Sequence, residues 1–114
     1  LGTPFDFSWK DCILFIEDTG EEPYAMDRLL THLRLAGKLR GLKGILIGKE
    51  NKGEFNPKRS LTFREVYRDV LAPLGIPVVE KLPFGHGLKK FTLPFGGWAK
   101  VDTGKGRVEM SLRA

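Results

Sequence analysis

The chain has 114 residues, about one domain's worth. Lys and Arg total 19 against 14 Asp and Glu, a net charge of +5, with 41% hydrophobic and 29% charged residues. These fractions exclude a disordered tail, whose apolar content would be too low to offset ordering entropy. The lone cysteine, Cys12, excludes an intrachain disulfide and a multi-cysteine zinc site, and it suits a reducing compartment. No apolar stretch approaches the roughly 20 residues that span a bilayer, so no membrane partner is expected. The opening Leu1-Gly2-Thr3-Pro4 reads as the interior of a longer chain.

The charge alone does not make a nucleic-acid protein. Arg28, Arg34, Lys38, Arg40 and Lys43 are separated by leucines and glycines. Lys89-Lys90 beside Phe91 is a poor stacking platform. With no binding motif beside them, these residues read as a solvated surface, and nucleic acid is not expected as a partner.

Along the chain, Cys12 to Ile16 is a short apolar run that predicts a buried strand headed by Cys12. Pro23 opens a helix, since proline loses nothing by lacking an N–H in the first turn. Met26, Leu29, Leu30, Leu33 and Ala36 give that helix one apolar face, and Gly37 can close it in the left-handed region. Ile45 to Ile47 between two glycines predicts a second buried strand. Lys49 to Ser60 reads as a long polar loop. Thr62 and Glu65 spell a capping box for a helix that buries Phe63, Val66, Tyr67, Val70 and Leu71 and stops before Pro73. Ile76 to Val79 predicts a third strand, with Pro77 marking an edge or a first residue. Pro83 to Gly97 has no periodic pattern. Trp98 to Asp102 and Arg107 to Leu112 alternate as an antiparallel hairpin turning at Thr103 to Gly106. The order predicts an α/β domain with a parallel core and an antiparallel addition.

Two residues carry candidate chemistry. Glu17 follows the first strand, and the carboxyl edge of a parallel sheet is where functional groups gather. A carboxylate there can hold an imidazole in one tautomer, although a strand-end acid is more often merely solvated. His86 lies between Gly85 and Gly87, where the backbone turns freely and the ring is uncrowded. It can be a general base for a hydroxyl, or a loop histidine bonded to nearby backbone. His32, beside the apolar face of its helix, reads as a surface residue. Cys12 reads as a small hydrophobe with no histidine nearby in sequence. Ser8, Ser60 and Ser111 lie in no strained nucleophile turn. The chain therefore holds a candidate base and a candidate orienting acid but no candidate nucleophile. Two histidines without metal-ligand spacing offer no metal site.

Leu14-Phe15-Ile16-Glu17-Asp18-Thr19-Gly20-Glu21, Pro23-Tyr24 and Asp27 to Gly37 together resemble the LD-carboxypeptidase (muramoyltetrapeptide carboxypeptidase) family of serine peptidases, in its C-terminal domain. Gly44 to Gly48, Leu74 to Val78, Pro83 to His86 and Leu93 to Gly96 extend the resemblance in order over nearly the whole chain. His32 stands where the family more often has glutamine, and Phe95 where a smaller apolar residue is usual.

The resemblance implies an α/β fold of the swivelling β/β/α type. It would be a single domain over residues 1–114, with a small, mostly parallel sheet flanked by helices and an antiparallel C-terminal hairpin. It implies a Ser-Glu-His triad in which Glu17 is the acid and His86 the base, while the serine and the oxyanion amides belong to an N-terminal domain absent here. The implied reaction removes terminal D-alanine from murein tetrapeptides without metal or cofactor, in peptidoglycan recycling in the bacterial cytoplasm. The implied partners are the N-terminal domain, the muropeptide and a second copy of the full-length protein. Isolated from its serine, the chain is expected to be inactive. A related branch cleaves microcin-type antibiotics and confers immunity, and a non-enzymatic basic interaction module is the alternative from another class. A face stripped of its partner domain is expected to expose aromatic rings, Phe84 and Phe91 among them.

Overall fold

The structure is a computed structural model that describes residues 1–49, 61–86 and 88–112. The elements run β1 (Ile13–Ile16), α1 (Pro23–Leu35), β2 (Gly44–Gly48), α2 (Phe63–Val70), β3 (Val78–Leu82), β4 (Trp98–Asp102) and β5 (Arg107–Ser111), with a 3₁₀ turn at Ala72–Leu74. β1, β2 and β3 form a parallel sheet with β2 in the centre, while among the described residues β4 and β5 pair only with each other, antiparallel. The fold is thus the expected α/β arrangement with a parallel core and a C-terminal hairpin. The predicted polar loop falls almost wholly on residues 50–60, outside the described residues.

Strand alternation divides the sheet into two faces. Ile45 and Ile47 of β2, with Leu14 and Ile16 of β1, pack against Met26 and Leu30 of α1 and Val66, Tyr67 and Val70 of α2. The other face presents Ile13, Phe15 and Leu46 to a cleft of about 710 Å³, walled opposite by Phe95, Trp98 and Met110. The layers therefore run hairpin, sheet, helices. β2 is buried along its whole length, as a central parallel strand must be.

Both helices end as their sequences dictate. Pro23 is the first residue of α1, and Gly37 sits beyond its end at φ 74°. There the Gly37 amide bonds the Arg34 carbonyl and the Lys38 amide bonds the Leu33 carbonyl, closing the last turn. At the start of α2 the Glu65 amide donates to the Thr62 hydroxyl (3.2 Å) and the Thr62 amide donates to the Glu65 carboxylate (2.7 Å). Of the apolar face expected on α1, Met26 and Leu30 are buried and Leu33 is half-buried, but Leu29 and Ala36 are exposed.

Three expectations are corrected. Cys12 does not head a buried strand: β1 is an edge strand, half-buried throughout, and Cys12 is exposed. The third strand is shifted, because Pro77 cannot donate to a ladder and gives only its carbonyl to Ile45, so pairing starts at Val78 and the strand runs on through Glu80 and Lys81 to Leu82. Phe84 is buried, not exposed.

The shifted strand contains a bulge. Leu46 pairs with Val79 and Gly48 with Leu82, so two steps on β2 match three on β3. Lys81 absorbs the extra residue in the left-handed region, at φ 61°. Leu82 thereby faces Gly48, and Phe84, two residues on, turns inward against Phe15 (ring centroids 5.8 Å apart).

Candidate active site

The register of the parallel sheet builds the site. Ile16 pairs with Ile47, so the next residues, Glu17 and Gly48, lie side by side at the carboxyl ends of β1 and β2. The chain leaving β3 passes the same edge as Pro83-Phe84-Gly85-His86. Gly85, at φ 90°, turns this segment across the Glu17 side chain, and a Cβ at Gly85 would overlap that side chain. Glycine is required there on two counts.

The turn brings together Glu17 and His86, which are 69 residues apart. His86 Nδ1 lies 2.9 Å from Glu17 Oε1 and 3.1 Å from Oε2. The backbone amide of His86 also donates to Oε1, at 3.0 Å. One carboxylate thus grips the ring and the main chain of the same residue, which restricts both torsions of the histidine.

Electrostatics sets the direction of the ring bond. Burial pushes the Glu17 carboxyl up, the largest single influence upon it. It is outweighed by the hydrogen bond from the His86 ring, then the His86 amide, the His86 charge and the Thr19 hydroxyl, so the carboxyl lies below its usual range. Glu17 is therefore ionised near neutral pH and can only accept. Nδ1 must carry the proton of this bond, which leaves the lone pair of a neutral ring on Nε2. The Glu17 side chain is only 18% exposed, whereas that of His86 is 61% exposed. A shielded acid behind a solvent-facing imidazole is the arrangement of an orienting carboxylate and a base.

The other sequence candidates lie elsewhere. His32 is exposed on α1, and Cys12 opens to solvent at the far end of β1. Ser8 lies in the N-terminal stretch and Ser111 ends β5, while Ser60 and Gly87 fall outside the described residues. Among the described residues, no group of three or more His, Cys, Asp or Glu side chains is arranged to hold a metal ion. Thr19 and Gly48 join the site without having been singled out, since their contribution depends on a register that no local pattern states. Phe91 is exposed as expected, and so are Phe5, Phe7, Leu88 and Phe95. Phe95 lies edge-on to Phe15 with ring centroids 5.0 Å apart, so the cleft begins one ring away from Phe84 and the site.

Residues 1–101 match the family described as LD-carboxypeptidase C-terminal domain. A probable murein peptide carboxypeptidase of Bacillus subtilis is 36% identical over 90% of the chain, which covers 33% of that protein. The crystal structure of muramoyltetrapeptide carboxypeptidase from Oxalobacter formigenes superposes with a TM-score of 0.82 and 34% identity, over 96% of this chain and 38% of that one. The microcin C7 self-immunity protein superposes less well, with a TM-score of 0.56 and 28% identity over 65% of this chain and 22% of its own. The chain spans about a third of the length of the curated relatives it matches.

Proposed function

We propose, since this chain belongs to the LD-carboxypeptidase family and is its C-terminal domain, that Glu17 and His86 are the acid and the base of a divided Ser-Glu-His triad. The observation that carries the reading is the 2.9 Å contact from His86 Nδ1 to an ionised Glu17. The nucleophilic serine comes from a preceding domain. His86 Nε2 takes the serine proton as Oγ attacks the amide carbonyl, and Glu17 stabilises the resulting imidazolium. The C–N bond breaks as His86 returns the proton to the leaving amine. Water then releases the acyl group by the same relay.

In this reading the substrate is a murein tetrapeptide. The bond cut joins the L-centre of its diamino acid to terminal D-alanine, and the product serves cell-wall recycling in the bacterial cytoplasm. The likeness to the murein-acting relatives extends over more of the chain, and with higher identity, than the likeness to the microcin-immunity protein, which supports the murein branch. A second copy of the full-length protein is the further partner of this reading.

The test uses D-alanine release from a muropeptide. The chain alone should release none, and release by this chain alone would overturn the division of the triad. In the protein that joins it to its serine domain, His86→Ala should lower kcat by several orders of magnitude with the fold intact. A loss of only a few-fold would reject His86 as the base.

A further inference from the structure

We propose that Gly48 is a positioning residue: the missing side chain at the end of β2 is the space that lets Glu17 reach both the ring and the amide of His86. An ideal Cβ at Gly48 would lie 2.9 Å from Glu17 Cγ, 3.0 Å from Phe84 Cε2 and 3.1 Å from the Phe84 carbonyl oxygen. Three atoms from two sides close on that point, and neither side can yield cheaply. Phe84 is held by burial and by Phe15. Glu17 is confined on its other side by Gly85, where an added Cβ would again overlap it. The Glu17 side chain therefore lies in a slot between two glycine backbones.

The two glycines differ in what demands them. Gly85 has a positive φ, so its backbone alone requires glycine. Gly48 is an ordinary strand residue outside that region. Its lack of a Cβ answers to its neighbours and not to its own torsions. Gly44, at the other end of the same strand, provides the contrast. A Cβ there would come no nearer than 3.4 Å to the Pro77 carbonyl and 3.8 Å to Ile13, which is ordinary van der Waals contact. One strand thus begins at a glycine that can be filled and ends at one that cannot.

The inference rests on the Glu17–His86 reading for its meaning in catalysis, but its test reads geometry directly in this chain. In the parent, ¹⁵N NMR of the neutral His86 ring should show the proton on Nδ1, and the Glu17 carboxyl should titrate below the ordinary glutamate range. In Gly48→Ala the Nδ1–H signature should be lost and the Glu17 titration should rise toward ordinary. Gly44→Ala should leave both unchanged. An unchanged tautomer and titration in folded Gly48→Ala would overturn the proposal.

A second measurement covers the case where Gly48→Ala does not fold. Glu17→Ala removes the Cγ and carboxylate that the new methyl would strike. The fall in denaturation midpoint caused by Gly48→Ala should therefore be smaller in a Glu17→Ala background, and an equal fall in both backgrounds would overturn the slot. If the slot holds while His86→Ala leaves kcat of the joined protein untouched, the catalytic reading fails and the positioning stands.

Discussion

Glu17 Oε1 accepts two hydrogen bonds from one residue, the amide of His86 at 3.0 Å and its ring Nδ1 at 2.9 Å. The main-chain bond brings the 83–86 segment to the strand edge, and the ring bond aims the imidazole outward. Removing the carboxylate therefore costs location and tautomer together.

The depressed Glu17 carboxyl has a consequence for stability. A group whose folded pKa lies below its unfolded value stabilises the fold above the unfolded value, and loses that contribution as pH falls through the folded one. The parent should be more stable than Glu17→Gln at pH 7, and the difference should shrink through the acid range below the ordinary glutamate pKa. Urea unfolding at a series of pH values measures this. A constant difference would place the stabilisation in packing and not in charge.

The capping box makes a separate prediction. Thr62→Ala removes the acceptor of the Glu65 amide and should cost about 1 kcal/mol, within a range of roughly 0.5–2. Chemical denaturation of the folded chain gives the number. A neutral result would mean that packing of Val66, Tyr67 and Val70 alone holds α2.

Leu30, 1% exposed, belongs to the cluster that joins both helices to the sheet. Leu30→Ala should destabilise by about 2–5 kcal/mol, depending on how far the site collapses. Leu29→Ala, one residue away but 44% exposed, should cost far less. Equal losses would contradict the face assigned to α1.

The surplus of basic residues should not produce a nucleic-acid protein. Lys38, Lys43, Arg68 and Arg107 pair with Asp6, Asp11, Asp69 and Glu109 of the same chain. A titration with DNA or RNA at two salt concentrations should show weak binding without a steep salt slope. Tight binding that falls steeply with salt would favour a basic interaction module.

What could be read from the sequence was whatever depends on near neighbours. Pro23 as first helical residue, Gly37 beyond the helix end, the Thr62–Glu65 pair and the hairpin from Trp98 are local events, and each stands where its chemistry put it. Glu17 and His86 could be singled out because a strand-end acid and a glycine-flanked histidine each have a local signature. What failed depended on the sheet. The polar Glu80 and Lys81 do not look like strand, yet an edge strand can expose them. Cys12 looks like core, yet among the described residues β1 has a neighbouring strand on one side only. Phe84 is expected on the face stripped of a partner domain, yet a bulge three residues earlier turns it inward against Phe15. Gly48 reads as a strand boundary because the side chain that needs its space, Glu17, follows a different strand.

The bulge at Lys81 also sets how the segment can tolerate insertions and deletions. Strand residues alternate faces, and β3 spends three residues where β2 spends two, so losing the extra residue would straighten the strand and leave Leu82 opposite Gly48. Losing two would place Leu82 opposite Ile47, turn Leu82 and Phe84 to the helix face and carry the imidazole away from its carboxylate. Between Val78 and His86 the spacing is therefore constrained in one direction, and homologous chains should shorten this interval by no more than the bulged residue even where its side chains differ.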